Sequence, residues 1–250
     1  MAVHKAGRKS VRVAAAVAAA ALIGVAASAC GPDDSSGSGS GKDKGGSSSG
    51  AAEKPSASAA ALAGVPAAVK GGVITVGDPK AKHTVKVYED PRCPFCKKFE
   101  EGGAQALVEP VVDGKVKIEY TIASFLDKNL GGSGSVNAAN ALRASVDAGK
   151  FAQYHAEVFA AQPEEETDDA FTPEFLLKTA DKVDGLRGGA FDKAVKNGTH
   201  KKWVGEAMKA FMDDGVKGTP EVHVDGKTAE PNSLYGKAEF AKELAAAGVK

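Results

Sequence analysis

Two cysteines with two residues between them, Cys93 and Cys96 in the stretch YEDPRCPFCKKFE (residues 88–100), are the residues best suited to chemistry in this chain. The thiolate, not the thiol, attacks a disulfide, and an ordinary cysteine titrates too high to be mostly thiolate at neutral pH. A helix N-terminus lowers that value through its dipole and its unsatisfied backbone N–H groups. Pro94 fits the first position of a helix, which places Cys93 just before it, where the effect is largest. Cys96 lies one turn further on the same side and can resolve a mixed disulfide. Pro94 and Phe95 form the turn between the two sulfurs. Arg92, Lys97 and Lys98 add positive potential, and Glu89 and Asp90 oppose it.

Two other readings of the pair compete. As half of a zinc site it lacks a second half: there is one C-x-x-C, and His4, His83, His155, His200 and His223 show no paired ligand spacing. As a purely structural disulfide it would close too short a loop to stabilise much. Asp90 reads equally as a proton acceptor near Cys96 or as an acid at a strand end. Phe95 reads as a hydrophobic substrate contact. Trp203, Phe211 and Met212 read as core of a helical region, and His223 as facing away from Val222 and Val224.

The third cysteine bears on the compartment. Residues 1–30 have a basic start, an uncharged Ala-rich run and small residues leading into Cys30, the layout of an export signal. Ala27-Ser28-Ala29 fits ordinary cleavage; the run into Cys30 and Gly31 resembles a bacterial lipobox, in which the cysteine is acylated. Two acyl chains suffice for stable anchoring. With Cys30 lipidated, Cys93 and Cys96 are an even pair in a space that permits disulfides. The chain carries 32 cations and 32 acids; four cations and no acid fall within the first 30 residues, leaving 28 against 32. Nucleic-acid binding, which wants a basic face, is not indicated.

Residues 31–64 are Gly/Ser-rich and read as a flexible tether, with folded structure from Val65 to residue 250. Short β-rich runs at 71–78, 83–90 and 115–124 read as strands. The CPFCKKFEEGGAQALVEPVV segment between the last two reads as a helix weakened at Gly102-Gly103. Helical spacing recurs at 136–148, 151–161, 173–183 and 203–212. A strand at 221–224, a hairpin turn at Asp225-Gly226 and a helix at 235–248 close the chain. Strand–helix–strand over 83–124 makes a right-handed βαβ unit.

These features resemble the DsbA-like branch of the thioredoxin superfamily. The residues carrying the resemblance are Tyr88, Asp90, Cys93-Pro94-Phe95-Cys96 and Phe99, then Val216-Lys217-Gly218-Thr219-Pro220 leading into EVHVDGK. It covers about residues 70–248, and two departures are Phe95 where strong oxidants of the family have histidine, and polar Glu221 after the proline.

The resemblance implies an α/β thioredoxin fold with an inserted helical subdomain near 128–213. It also implies a cis Pro220 against the cysteine pair and a substrate chain pairing with the Thr219 backbone. The implied activity is thiol–disulfide exchange on exported proteins, most of all oxidative folding; a tethered reductase, an isomerase or a client-binding module are the alternatives. No metal or organic cofactor is implied, because the dithiol is the redox group. A membrane redox partner would recycle it. The expected protein is a monomer held by lipid on the outer face of the cytoplasmic membrane, or secreted if cleavage is of the ordinary kind.

Overall fold

The computed structural model describes residues 56–249; the expected export signal, the Cys30 lipidation site and residues 31–55 of the tether lie outside the described residues. Within 56–249 lie ten α-helices and six strands in one mixed sheet, ordered β1-β2-β4-β3-β5-β6. The strands are β1 (Ala67–Lys70), β2 (Val73–Val76), β3 (His83–Glu89), β4 (Val116–Ile122), β5 (Glu221–Val224) and β6 (Lys227–Thr228). β3 is central, parallel to β4 and antiparallel to β5. Flanked on both edges, its side chains lose the clean alternation of a half-buried strand: Val85, Val87, Tyr88, Glu89 and the following Asp90 are all buried. β1 and the Lys70-Gly71-Gly72-Val73 hairpin were not expected from the sequence. The AAVK run carries little strand propensity and exists through its pairing with β2.

Folded structure begins earlier than Val65. Ala57–Ala61 form α1, with Ser56 as its N-cap accepting from the Ala59 N–H and the Ala59 methyl completely buried. The Ser56 N–H donates to Glu157 at 2.5 Å, and Ser58 bonds Gln105 at 2.6 Å. An Ala-rich segment that reads as tether by composition is therefore a short helix docked on the domain.

The helix after β3 is α2 (Pro94–Glu101); it stops at Gly102, passes through a 3-10 turn (Gly103–Ala106) and resumes as α3 (Val108–Val112). The break is dictated by close approach: a Cβ on Gly102 would lie 2.4 Å from the Tyr235 carbonyl oxygen, and one on Gly103 2.3 Å from that of Leu234. The Gly103 N–H donates to the same Leu234 oxygen at 3.1 Å. This clamps α2 to the segment before the last helix, α10 (Lys237–Ala246), where Phe99 meets Phe240 edge to face.

Between β4 and β5 runs a helical block: α4 (Leu126–Leu130), α5 (Gly134–Asp147), α6 (Phe151–Ala160), α7 (Pro173–Ala180), α8 (Gly189–Asn197) and α9 (Lys201–Asp213). The thioredoxin-like βαβ and ββα halves are thus separated by a helical insertion. Trp203 and Phe211 are core, but Met212 is 63% exposed, contrary to expectation. The inward methionine of α9 is Met208, whose sulfur accepts from the Ser124 N–H at 3.0 Å. Among the described residues no helix is long and apolar enough to cross a membrane.

Candidate active site

The site forms where β3 ends. The Cys93 N–H bonds back to the Asp90 carbonyl at 2.9 Å, turning the chain into α2 with Cys93 as its N-cap and Pro94 at the first helical position. The thiols are unlinked. Cys93 is 5% exposed and Cys96 fully buried, packed with Leu126, Phe159 and part of Phe125.

The two sulfurs are made unequal by their surroundings. Cys93 is lowered to about 6, first because Cys96 hydrogen-bonds to it, and further through Thr219 and the N–H groups of Cys96 and Phe95; burial opposes the drop. Cys96 is pushed well above the ordinary thiol range by burial, and next by its bond to Cys93. One sulfur is thus a thiolate at neutral pH beside a protonated, inaccessible partner. That is the asymmetry an attacking and a resolving cysteine require.

Thr219 and Pro220 face this pair across the fold. The Thr219–Pro220 peptide is cis, and in its protonated form the Cys93 thiol donates to the Thr219 carbonyl at 3.3 Å. Strands β3 and β5 pair directly, Tyr88 opposite Glu221, and this register carries the residues before Glu221 to the mouth of α2. Glu221 itself bonds His223 Nε2 at 2.8 Å, so its polarity is used within the sheet. Phe95 is 51% exposed beside the cysteines. Tyr235, 42% exposed, lies 6.3 Å from it between ring centroids, and Lys98 Nζ stands over the Phe95 ring at 5.0 Å. Sequence reasoning missed Tyr235, which is brought here by the Gly102 and Gly103 clamp.

Asp90 is buried and accepts three bonds: from the Arg92 N–H at 3.0 Å, the Leu126 N–H at 3.1 Å and the Ser135 hydroxyl at 2.6 Å. Burial nevertheless raises it to about 7, the three donors opposing the rise. Its main-chain N–H is directed at the Cys96 sulfur. Arg92 does not face the cysteines. It is 3% exposed and bonds Asp127 at 3.0 Å, the Gly131 carbonyl at 2.6 Å and the Glu166 carbonyl at 3.2 Å. Gln162 completes the hold: its Nε2 donates to the Pro91 carbonyl at 2.6 Å and the Cys93 carbonyl at 3.1 Å. The insertion therefore fixes the cysteine loop by its backbone. Neither Arg92 nor Gln162 carries a local signal of this, because the partners are 30 to 75 residues away in the chain.

The thioredoxin family profile matches residues 70–240. Among solved structures, the chain is similar to reduced DsbG from Mycobacterium tuberculosis, a disulfide bond oxidoreductase, at 26% identity and a TM-score of 0.54, covering 67% of this chain and 82% of that one. It is also similar to BdbD from Bacillus subtilis, at 21% identity and a TM-score of 0.57, covering 78% and 95%. A third is MdbA, a thiol–disulfide oxidoreductase from Corynebacterium matruchotii, at 21% identity and a TM-score of 0.56, covering 66% and 86%. No curated protein matches the chain.

Proposed function

The chain belongs to the thioredoxin family, and on that premise we propose that it is a DsbA-like thiol–disulfide oxidoreductase that works outside the cytoplasm and forms disulfides in exported proteins. The observation that carries this reading is the pairing of a thiolate-prone Cys93 at a helix N-cap with a buried Cys96 one turn on, beside the Thr219 carbonyl. Similarity to solved thiol–disulfide oxidoreductases supports it.

In the oxidising direction a client thiolate attacks the Cys93 sulfur of the Cys93–Cys96 disulfide. The S–S bond breaks and Cys96 leaves, taking up a proton from solvent, and burial then keeps the Cys96 thiol protonated. A second client thiolate then attacks the client sulfur of the mixed disulfide and expels Cys93 as a thiolate. The client loses two electrons and the protein gains them. A good Cys93 leaving group speeds the second step, and stabilising the reduced form favours oxidation of the client.

The client chain would run beside Thr219 and Pro220 with apolar contacts on Phe95 and Tyr235. A membrane redox partner would reoxidise the dithiol, and lipid on Cys30 would hold the monomeric protein at the outer face of the cytoplasmic membrane. Refolding of a reduced, unfolded substrate by wild type and by Cys93→Ser tests the reading. Loss of disulfide formation in the variant is expected; equal refolding yields would overturn it. A Cys30→Ala variant should lose lipid labelling and membrane retention, and unchanged retention would remove the anchor from the account.

A further inference from the structure

Behind the cysteines, three residues distant in sequence converge. Glu89 ends β3, Glu100 lies in the last turn of α2 and His155 is on α6 of the insertion. His155 Nε2 is 2.5 Å from Glu89 Oε1, and His155 Nδ1 is 3.8 Å from Glu100 Oε2. The imidazole is thus held between two carboxyl groups. Glu89 is completely buried and the side chains of Glu100 and His155 are 10% and 4% exposed. Among the described residues, Glu89 Oε2 and Glu100 Oε1 receive no hydrogen bond from any other group. Two buried carboxyls in mutual contact are held together by a shared proton or by a cation, and the neutral imidazole beside them supplies neither.

A partly open cavity of about 350 Å³ reaches this cluster from the outside. Glu100 and His155 form part of its wall, together with Tyr120 and Phe159, and α1 lies at its rim through Ser58 and Leu62. The remaining wall is largely aliphatic. Aromatic rings surround the imidazole: Tyr120, Phe159 and Phe151 have centroids 4.5, 5.0 and 5.3 Å from it.

We propose that Glu89, Glu100 and His155 form a binding site for one divalent zinc ion, entered through the cavity. Each residue offers a ligand atom, and these atoms lie within 4.8 Å of one another. Zinc bonds are about 2.0–2.2 Å, so movements of under about an ångström per side chain bring the atoms to tetrahedral spacing. One imidazole nitrogen with two carboxylates is a zinc donor set, whereas calcium and magnesium prefer more oxygen ligands. A dication neutralises the two carboxylates, and the cavity leaves room for water in the fourth position. The site is separate from Cys93 and Cys96 and needs neither sulfur.

The test is calorimetric titration of Zn²⁺ into the purified protein with the Cys93–Cys96 disulfide closed, so that no active-site thiol can ligate, and in a Cys30→Ala background. One ion per chain is expected, with proton release seen as a dependence of the binding heat on the buffer. Glu100→Gln and His155→Gln should each weaken binding at least tenfold while circular dichroism shows the fold intact. If binding is absent, or equally strong in both variants, the cluster holds a shared proton only and the proposal fails.

Discussion

Replacing Cys96 by alanine removes the largest contribution to the acidity of Cys93. The Cys93 thiol stands at about 6 against an ordinary 9.0, three units lower, which is about 4 kcal/mol of preference for the thiolate. Four favourable contacts share this drop and burial opposes it, with the Cys96 bond the largest. Its loss should raise the value by at least about one unit. Iodoacetamide trapping of the reduced protein between pH 4 and 9 reads the change directly. Wild type should show a midpoint near 6 for Cys93 and no reaction at buried Cys96. The variant's midpoint should move to about 7 or above. An unmoved midpoint would show that the helix terminus alone activates Cys93, and a wild-type midpoint above 8 would refute the electrostatic account.

The same shift sets a pH dependence. Cys93 is depressed in the folded dithiol, so its stabilisation of that form is complete above the unfolded value near 9 and is lost as pH falls through 6. At pH 7 about 1.4 kcal/mol remains, equivalent to about 30 mV toward a stronger oxidant. Cys96 stays protonated across this window and adds nothing to the slope.

Three further outcomes are expected. Gly103→Ala should destabilise the protein by several kcal/mol in thermal or denaturant melts, since a methyl group there meets the Leu234 carbonyl oxygen at 2.3 Å; a loss within about 0.5 kcal/mol would show that the clamp yields easily. Gln162→Ala leaves the buried Pro91 carbonyl without its donor and removes one of three from the Cys93 carbonyl, at a cost of about 1–3 kcal/mol, and should slow disulfide exchange by loosening the loop; unchanged stability and rate would remove the insertion from the positioning of the cysteines. Phe95→Ala should leave the melting temperature within a degree or two, because the ring is half exposed, yet weaken peptide-client turnover; unchanged client kinetics would count against an apolar client surface.

The sequence exposed the parts of this structure that are local. Cys93-Pro94 announces a helix start because proline fits only there, and Asp225-Gly226 announces a hairpin because both residues take positive φ, 49° and 81°. What it concealed is tertiary. Ala57–Ala61 has the composition of a linker and becomes a helix through burial against α6. Met212 and Met208 lie on the same helix one turn apart, and only packing decides that Met208 turns inward. Glu89, Glu100 and His155 have no motif spacing, because β3, α2 and an inserted helix bring them together. Asp90 is legible as an acid at a strand end, but its three hydrogen-bond donors come from a neighbour, α4 and α5.

Under the proposed function this dithiol is poised to oxidise its clients. Equilibration of Cys93–Cys96 with a glutathione couple at pH 7 measures it most directly. A potential between about −120 and −200 mV, in the range of oxidants, is expected. A value near about −270 mV would make the protein a reductase and contradict the direction proposed, and no exchange at all would return the cysteines to a structural role.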